Sequence, residues 1–336
     1  MTLNREARPV RSWRQEVTMK SAKVVVGVAV LMMSMAAAAA AGPHLSSWTT
    51  AQKLDEIAGN NSELNTAFVD GCPIQSPDGL DLYLASNRPR FPGDTRTDLD
   101  IWVAHRASTD APFGPPVNLG EPVNSLADDF CPTPVRGHGL FFVSREALPG
   151  ACGLGDIYFT RRDPSGAWAE PVHLACAPEG PNGPLDEQGP SYVELDGDAF
   201  LFFSSSSAAV PGDIYVSERL ANGSFGPASP IVELNSAGND IQPNVRKDGL
   251  EIVFSSNHGY PGAQGLQDVY VSTRDSIEDP WSTPVNLGTS VNTAASETRP
   301  SLSWKALTLL FGRAPGPEGM SDIYVSTRDK LAGSDL

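Results

Sequence analysis

This sequence has few bases, few cysteines and few histidines, and each shortage excludes a class of function. Lys and Arg together number 24 against 40 Asp and Glu, a formal net charge of −16. Such a field repels phosphate backbones, so nucleic acid is not an expected partner. The four cysteines form no C-x-x-C pair, and none of the five histidines stands at zinc-ligand spacing from one, which excludes a structural zinc site. There is no P-loop, no dinucleotide-binding glycine motif, no G-x-S-x-G elbow and no H-E-x-x-H. Nucleotide chemistry, serine-hydrolase chemistry and zincin-type catalysis therefore have no local signature. The longest purely apolar run, VVVGVAVLMM from Val24 to Met33, is too short to span a bilayer comfortably, since a membrane helix needs about 20 residues.

That run belongs to a targeting segment. Lys20 and Lys23 precede it and an alanine tract ending at Gly42 follows, the order of a secretory signal. Residues 1–41 are expected to be removed, with Met19 an alternative start, leaving an exported protein, periplasmic or extracellular, with no membrane span. An exported chain can keep disulfides. The remainder is rich in turn formers, with 31 Gly and 29 Pro.

The chain also repeats itself. DIYVSTRD, beginning at Asp322, has counterparts beginning at Asp100, Asp156, Asp213 and Asp268, and the leading aspartates stand 56, 57, 55 and 54 residues apart. Each unit has the same order: a strand after a proline, a turn such as SPDG (Ser76 to Gly79), an apolar strand ending in Ser or Gly, a Gly/Pro-rich loop, the D-I-Y strand, and an aromatic followed by a short β run such as WSTPVNL. Period-2 patterning between turn signals makes these strands. Four strands per repeat describe a β-propeller blade. The fifth unit lacks its outer strand, and WTTAQKL (Trp48 to Leu54) matches what is missing. The fold class expected is all-β: a single five-bladed propeller of four-stranded antiparallel blades, the last closed by the N-terminal strand. Blades are expected at about 70–119, 129–174, 187–234, 240–287, and 297–328 plus 48–54, within a domain over 42–336. Closure removes two exposed strand edges.

The proline strand, SPDG, the strand ending in S-N-R (Ser86 to Arg88), D-I-Y and W-x-x-P-V-N-L resemble the TolB-type, WD40-like propeller repeat of exported bacterial proteins. The resemblance covers nearly all of the chain after residue 41. It implies a binding or docking platform. SPDG departs to RGHG (Arg136 to Gly139), LDGD (Leu195 to Asp198), RKDG (Arg246 to Gly249) and SWKA (Ser303 to Ala306).

An acid precedes the inner-strand proline by three in all five repeats: Asp70, Asp129, Glu187, Asp240 and Glu297. These acids should ring one mouth of the axial channel. Two readings stay open. Either each carboxylate caps backbone N–H groups at the strand entry, or some face inward and bind a ligand, a cation such as Ca²⁺ (no other cofactor is called for), or act catalytically, with Asp70, Asp129 and Glu187 the candidate set. Asp128 gives blade 2 an extra carboxylate, one that the other blades are read as lacking. The loops between second and third strands differ in every blade. They carry Arg88, Arg145, His258, Tyr260 and Arg313 as candidate ligand contacts on the same face. The D-I-Y aspartates should close loops, and the arginines six residues later (Arg106, Arg162, Arg219, Arg274, Arg328) should form strand-end ion pairs. Cys72 and Cys131 hold the same position in adjacent blades and are paired here, as are Cys152 and Cys176. The function expected is a non-enzymatic, monomeric binding propeller for a protein, peptidoglycan or carbohydrate partner. The alternative is a glycan-active hydrolase using the inner-strand carboxylates.

Overall fold

The computed structural model describes residues 45–331, so the expected leader lies outside the described part. Five four-stranded antiparallel sheets account for the fold. The innermost strands are Asp70–Gln75, Asp129–Val135, Asp186–Leu195, Asp240–Val245 and Ser296–Leu302. The second strands are Asp81–Ser86, Gly139–Ser144, Asp198–Ser206, Glu251–Ser256 and Thr308–Ala314, and the D-I-Y strands come third. Outermost are two-residue strands, and in the fifth blade this place is taken by Gln52–Lys53, which pairs with Tyr324 and Val325. The N-terminal closure expected from WTTAQKL is therefore present.

The apolar faces of the second and third strands are buried between neighbouring blades. Trp102 of blade 1 packs with Leu310 and Ile323 of blade 5, and Tyr324 with Val253 and Val269 of blade 4. In four of the five blades the arginine that ends the D-I-Y strand lies over the aromatic that opens the outer strand: Arg106 over Phe113 at 4.4 Å, Arg162 over Trp168 at 4.6 Å, Arg274 over Trp281 at 4.3 Å and Arg328 over Trp48 at 4.3 Å. This replaces the expected strand-end ion pairs. Of these arginines, Arg328 alone pairs with a carboxylate among the described residues, with Glu251 at 2.8 Å. A guanidinium stacks well on an aromatic face, and Arg106, Arg274 and Arg328 use Nε on a turn carbonyl of the preceding hairpin.

Every innermost strand has a bulge at the residue before its proline. The ladder register shifts there in all five blades. The residues concerned have positive φ: Cys72 48°, Cys131 49°, Gly189 60°, Gln242 56° and Arg299 50°. A proline cannot donate to the ladder, so it fits a bulge. Four of the five residues are not glycine, each costing about 1–3 kcal/mol of backbone strain. Glycine is required in the third blade for space as well: a Cβ on Gly189 would come within 2.7 Å of Gln242 Cα and 2.8 Å of an Arg299 nitrogen.

Two residues beyond each bulge the inner strands are stitched to one another. Thr133 donates to the Pro190 carbonyl, Ser191 accepts from Val245 N at 3.0 Å, Asn244 accepts from Leu302 N at 2.9 Å, and Ser301 donates to the Pro73 carbonyl at 2.6 Å. Blade 1 carries Ile74 at that position and cannot make such a bond. Its junction to blade 2 is instead the Cys72–Cys131 disulfide. Cys152 and Cys176 form the second disulfide.

Candidate active site: the ring of inner-strand carboxylates

Each ring acid is the first or second residue of its innermost strand and is fully buried. The residue four before it explains why. Thr66, Ser125, Ser236 and Thr293 each offer a backbone N–H and a hydroxyl to the carboxylate of Asp70, Asp129, Asp240 and Glu297. In blade 3 the equivalent residue is Gly183, which supplies only its N–H to Glu187. The capping role is thus common to all five, and the sequence signal for it, Ser or Thr four before the acid, stood beside the acid-to-proline spacing. The D-I-Y aspartates repeat the motif less completely: Asp156 and Asp268 accept from the backbone N–H groups of Cys152 and Gln264, four residues earlier.

The second oxygen of each ring acid separates the blades. Asp70 is paired with Arg88, which also donates to the Glu63 carbonyl. Glu297 is paired with Arg313 at 2.7 Å. Asp240 accepts from the Ser256 hydroxyl at 2.6 Å. Asp129 and Glu187 have no arginine. Ser205 donates to Glu187 Oε1 at 2.9 Å, yet Glu187 Oε2 and Asp129 Oδ1 are buried without a hydrogen bond. Burial pushes the Asp129 carboxyl up to about 7, against the opposing pull of Ser144 and Ser125. It pushes Glu187 up to about 7 as well, against Ser205 and Gly183. A buried carboxyl without a counter-charge keeps its proton, because the charged form loses its hydration.

Register explains the missing counter-charge in blade 2. In blade 5 Arg313 itself stands opposite Glu297 across the ladder, and the place opposite Asp129 is held by Ser144. Arg145, one residue further on, binds Asp128 at 2.9 Å and Asp186 at 2.7 Å. These two aspartates immediately precede Asp129 and Glu187. Asp128 is therefore not peculiar to blade 2, because Asp186 holds the same position in blade 3.

Of the loop residues expected to contact a ligand, Arg88 and Arg313 are committed to ring acids, and Arg145 to the link between blades 2 and 3. His258 is exposed and lies 4.5 Å from Tyr260, ring to ring. As to metals, the described residues contain one three-member ligand cluster, Cys152, Asp156 and His173. The cysteine is in a disulfide and His173 hydrogen-bonds Asp156 at 2.9 Å, so all three donors are engaged. The ring acids do not gather in threes within ligand distance.

No family model matches this chain, and no curated protein does. Solved structures match its fold. The catalytic domain of the GH62 α-L-arabinofuranosidase of Coprinopsis cinerea is 11% identical with a TM-score of 0.55, covering 85% of this chain and 98% of that one. The α-L-arabinofuranosidase of Podospora anserina, solved with cellotriose, is 13% identical with a TM-score of 0.52, covering 87% and 99%. The GH43 endo-arabinanase of Bacillus licheniformis is 14% identical with a TM-score of 0.50, covering 77% and 93%. At such identities the likeness is one of fold. It corrects two expectations. The propellers this chain matches are of glycoside-hydrolase type rather than TolB-type WD40-like repeats. The non-enzymatic binding platform implied by that resemblance thereby loses its support, since the matched structures named here are glycoside hydrolases.

Proposed function

We propose that this protein is a glycan-active hydrolase whose acid–base pair is Asp129 and Glu187, on blades 2 and 3. The observation that carries the reading is the break in five-fold symmetry. Three ring acids have both oxygens satisfied, whereas these two each keep one unpaired oxygen and a carboxyl poised at about 7. A glycosidic bond needs one carboxyl group still protonated to donate to the leaving oxygen, and a second, ionised, to act as base or nucleophile. A pKa near neutrality serves either role. Asp70 and Glu297, held by arginines, serve to fix their blades.

Both carboxyls are closed to solvent, and Arg145 joins the residues that precede them, so substrate entry requires this link to open. The structural neighbours supply the substrate classes to try first, pentose-containing glycans. The two disulfides suit an exported protein, and we place the activity outside the cytoplasm.

The test is release of reducing sugar from arabinan, arabinoxylan, xylan and aryl arabinofuranosides by the chain from residue 42 onward. Turnover on at least one, lost in Asp129→Asn and in Glu187→Gln, supports the reading. A folded protein with no turnover on any of them contradicts it.

A further inference from the structure

The far end of the axis, where each innermost strand turns back into the second, holds a cavity of about 290 Å³. Its wall includes Thr133, Arg136, Tyr192, Lys247 and Trp304. Three of these stand at the turns that correspond to SPDG: Arg136 in RGHG, Lys247 in RKDG, which keeps the turn, and Trp304 in SWKA. A departure from five-fold regularity at one place is what a ligand, itself not five-fold, would require.

Trp304 is 37% exposed, whereas Trp48, Trp102 and Trp281 are buried. The Arg136 guanidinium lies 4.5 Å from its ring and the Lys247 ammonium 5.9 Å. Neither cation forms an ion pair among the described residues. Two acids also line the cavity, but both are engaged. Asp248 is bound to Arg246 at 2.8 Å, and Glu194 accepts from the Tyr192 hydroxyl at 2.6 Å.

Behind the floor lies a third cation. Arg299 is buried on the axis and its guanidinium reaches the Thr133 hydroxyl and the Pro190 carbonyl, each at 3.1 Å, and the Pro243 carbonyl at 3.4 Å. No carboxylate pairs with it among the described residues, and its Nε has no partner. Burial lowers its pKa to about 9. A buried charge is tolerated only with compensation, and an anion in the cavity, across Thr133, would supply it.

We propose that this cavity binds a carboxylated sugar, its apolar face on Trp304 and its carboxylate held by Arg136 and Lys247 in the field of Arg299. An aromatic face takes up the C–H face of a ring, and convergent cations select an anion.

The experiment is calorimetric titration of the chain from residue 42 onward with D-galacturonate, its linear trimer, D-galactose and acetate. Saturable binding of galacturonate at least tenfold tighter than galactose, with no measurable binding of acetate, is expected. Tighter binding of the trimer identifies a polysaccharide as the source, and equal binding identifies the free acid. Trp304→Ala should weaken binding at least tenfold, and the double variant Arg136→Ala, Lys247→Ala should abolish the preference for the acid. No binding, equal binding of galactose, equal binding of acetate, or an unaffected Trp304→Ala overturns the proposal. These side chains lie at the opposite mouth from the ring carboxylates, so the variants leave any hydrolytic turnover unchanged, and the two proposals fail separately.

Discussion

Blades 1 and 5 and blades 2 and 3 have the same strands, the same bulge and the same capped acid, and differ in what faces that acid's second oxygen. In blades 1 and 5 an arginine at or just past the end of the second strand neutralises it, Arg88 on Asp70 and Arg313 on Glu297. In blades 2 and 3 the residue opposite the acid is Ser144 or Ser205, and no arginine pairs with the carboxylate. Burial raises both carboxyls to about 7. Repetition supplies the scaffold, and what faces each acid's second oxygen sets this pair apart.

The comparison can be broken at several points. Most severe should be the effect on turnover: Asp129→Asn and Glu187→Gln are expected to reduce kcat on a responsive glycan by at least about a hundredfold, measured by reducing-sugar release with melting temperature unchanged or raised. Next, Asp70→Asn or Glu297→Gln leaves Arg88 or Arg313 buried without its partner. This should cost about 3–5 kcal/mol, seen in urea unfolding, whereas Asp129→Asn should cost little or stabilise above pH 7. A pH effect on stability of intermediate size follows from the raised carboxyls. The folded state holds two protons that the unfolded chain releases near pH 4. Stability is therefore fully present below pH 4 and declines as pH rises toward about 7. Denaturant midpoints across this window should flatten in the Asp129→Asn, Glu187→Gln double variant. The smallest effect is expected from Asp128→Asn with Asp186→Asn, which removes both ion-pair partners of Arg145. Partly exposed pairs of this kind contribute about 1 kcal/mol or less each, so the urea midpoint should fall only slightly.

Much of the architecture was legible in the sequence because a propeller blade writes its turns and strand alternation anew about every 56 residues. The closing strand was legible for the same reason, since Trp48 occupies the position of Trp281 and receives Arg328 as Trp281 receives Arg274. The Cys72–Cys131 pairing followed from equivalent positions in adjacent blades. The functional asymmetry was not legible. Aligned as repeats, the five acids look alike, and what faces each one's second oxygen depends on the register of the second strand within the same blade. Asp186 was overlooked as the twin of Asp128, although both stand one residue before a ring acid. The arginines ending the D-I-Y strands were expected in ion pairs, which Arg328 alone forms among the described residues, because the aromatics that four of them stack on lie outside the strand that carries them. The resemblance to TolB-type repeats failed because the motifs behind it encode strands and turns, which propellers of different families share.

The most direct test is a carbon-13 NMR titration of the side-chain carboxyls in the chain from residue 42 onward, assigned with the Asp129→Asn and Glu187→Gln variants. Two carboxyls titrating near pH 7, both absent in the double variant, are predicted. Five ring carboxyls all ionised by pH 5 would contradict the account.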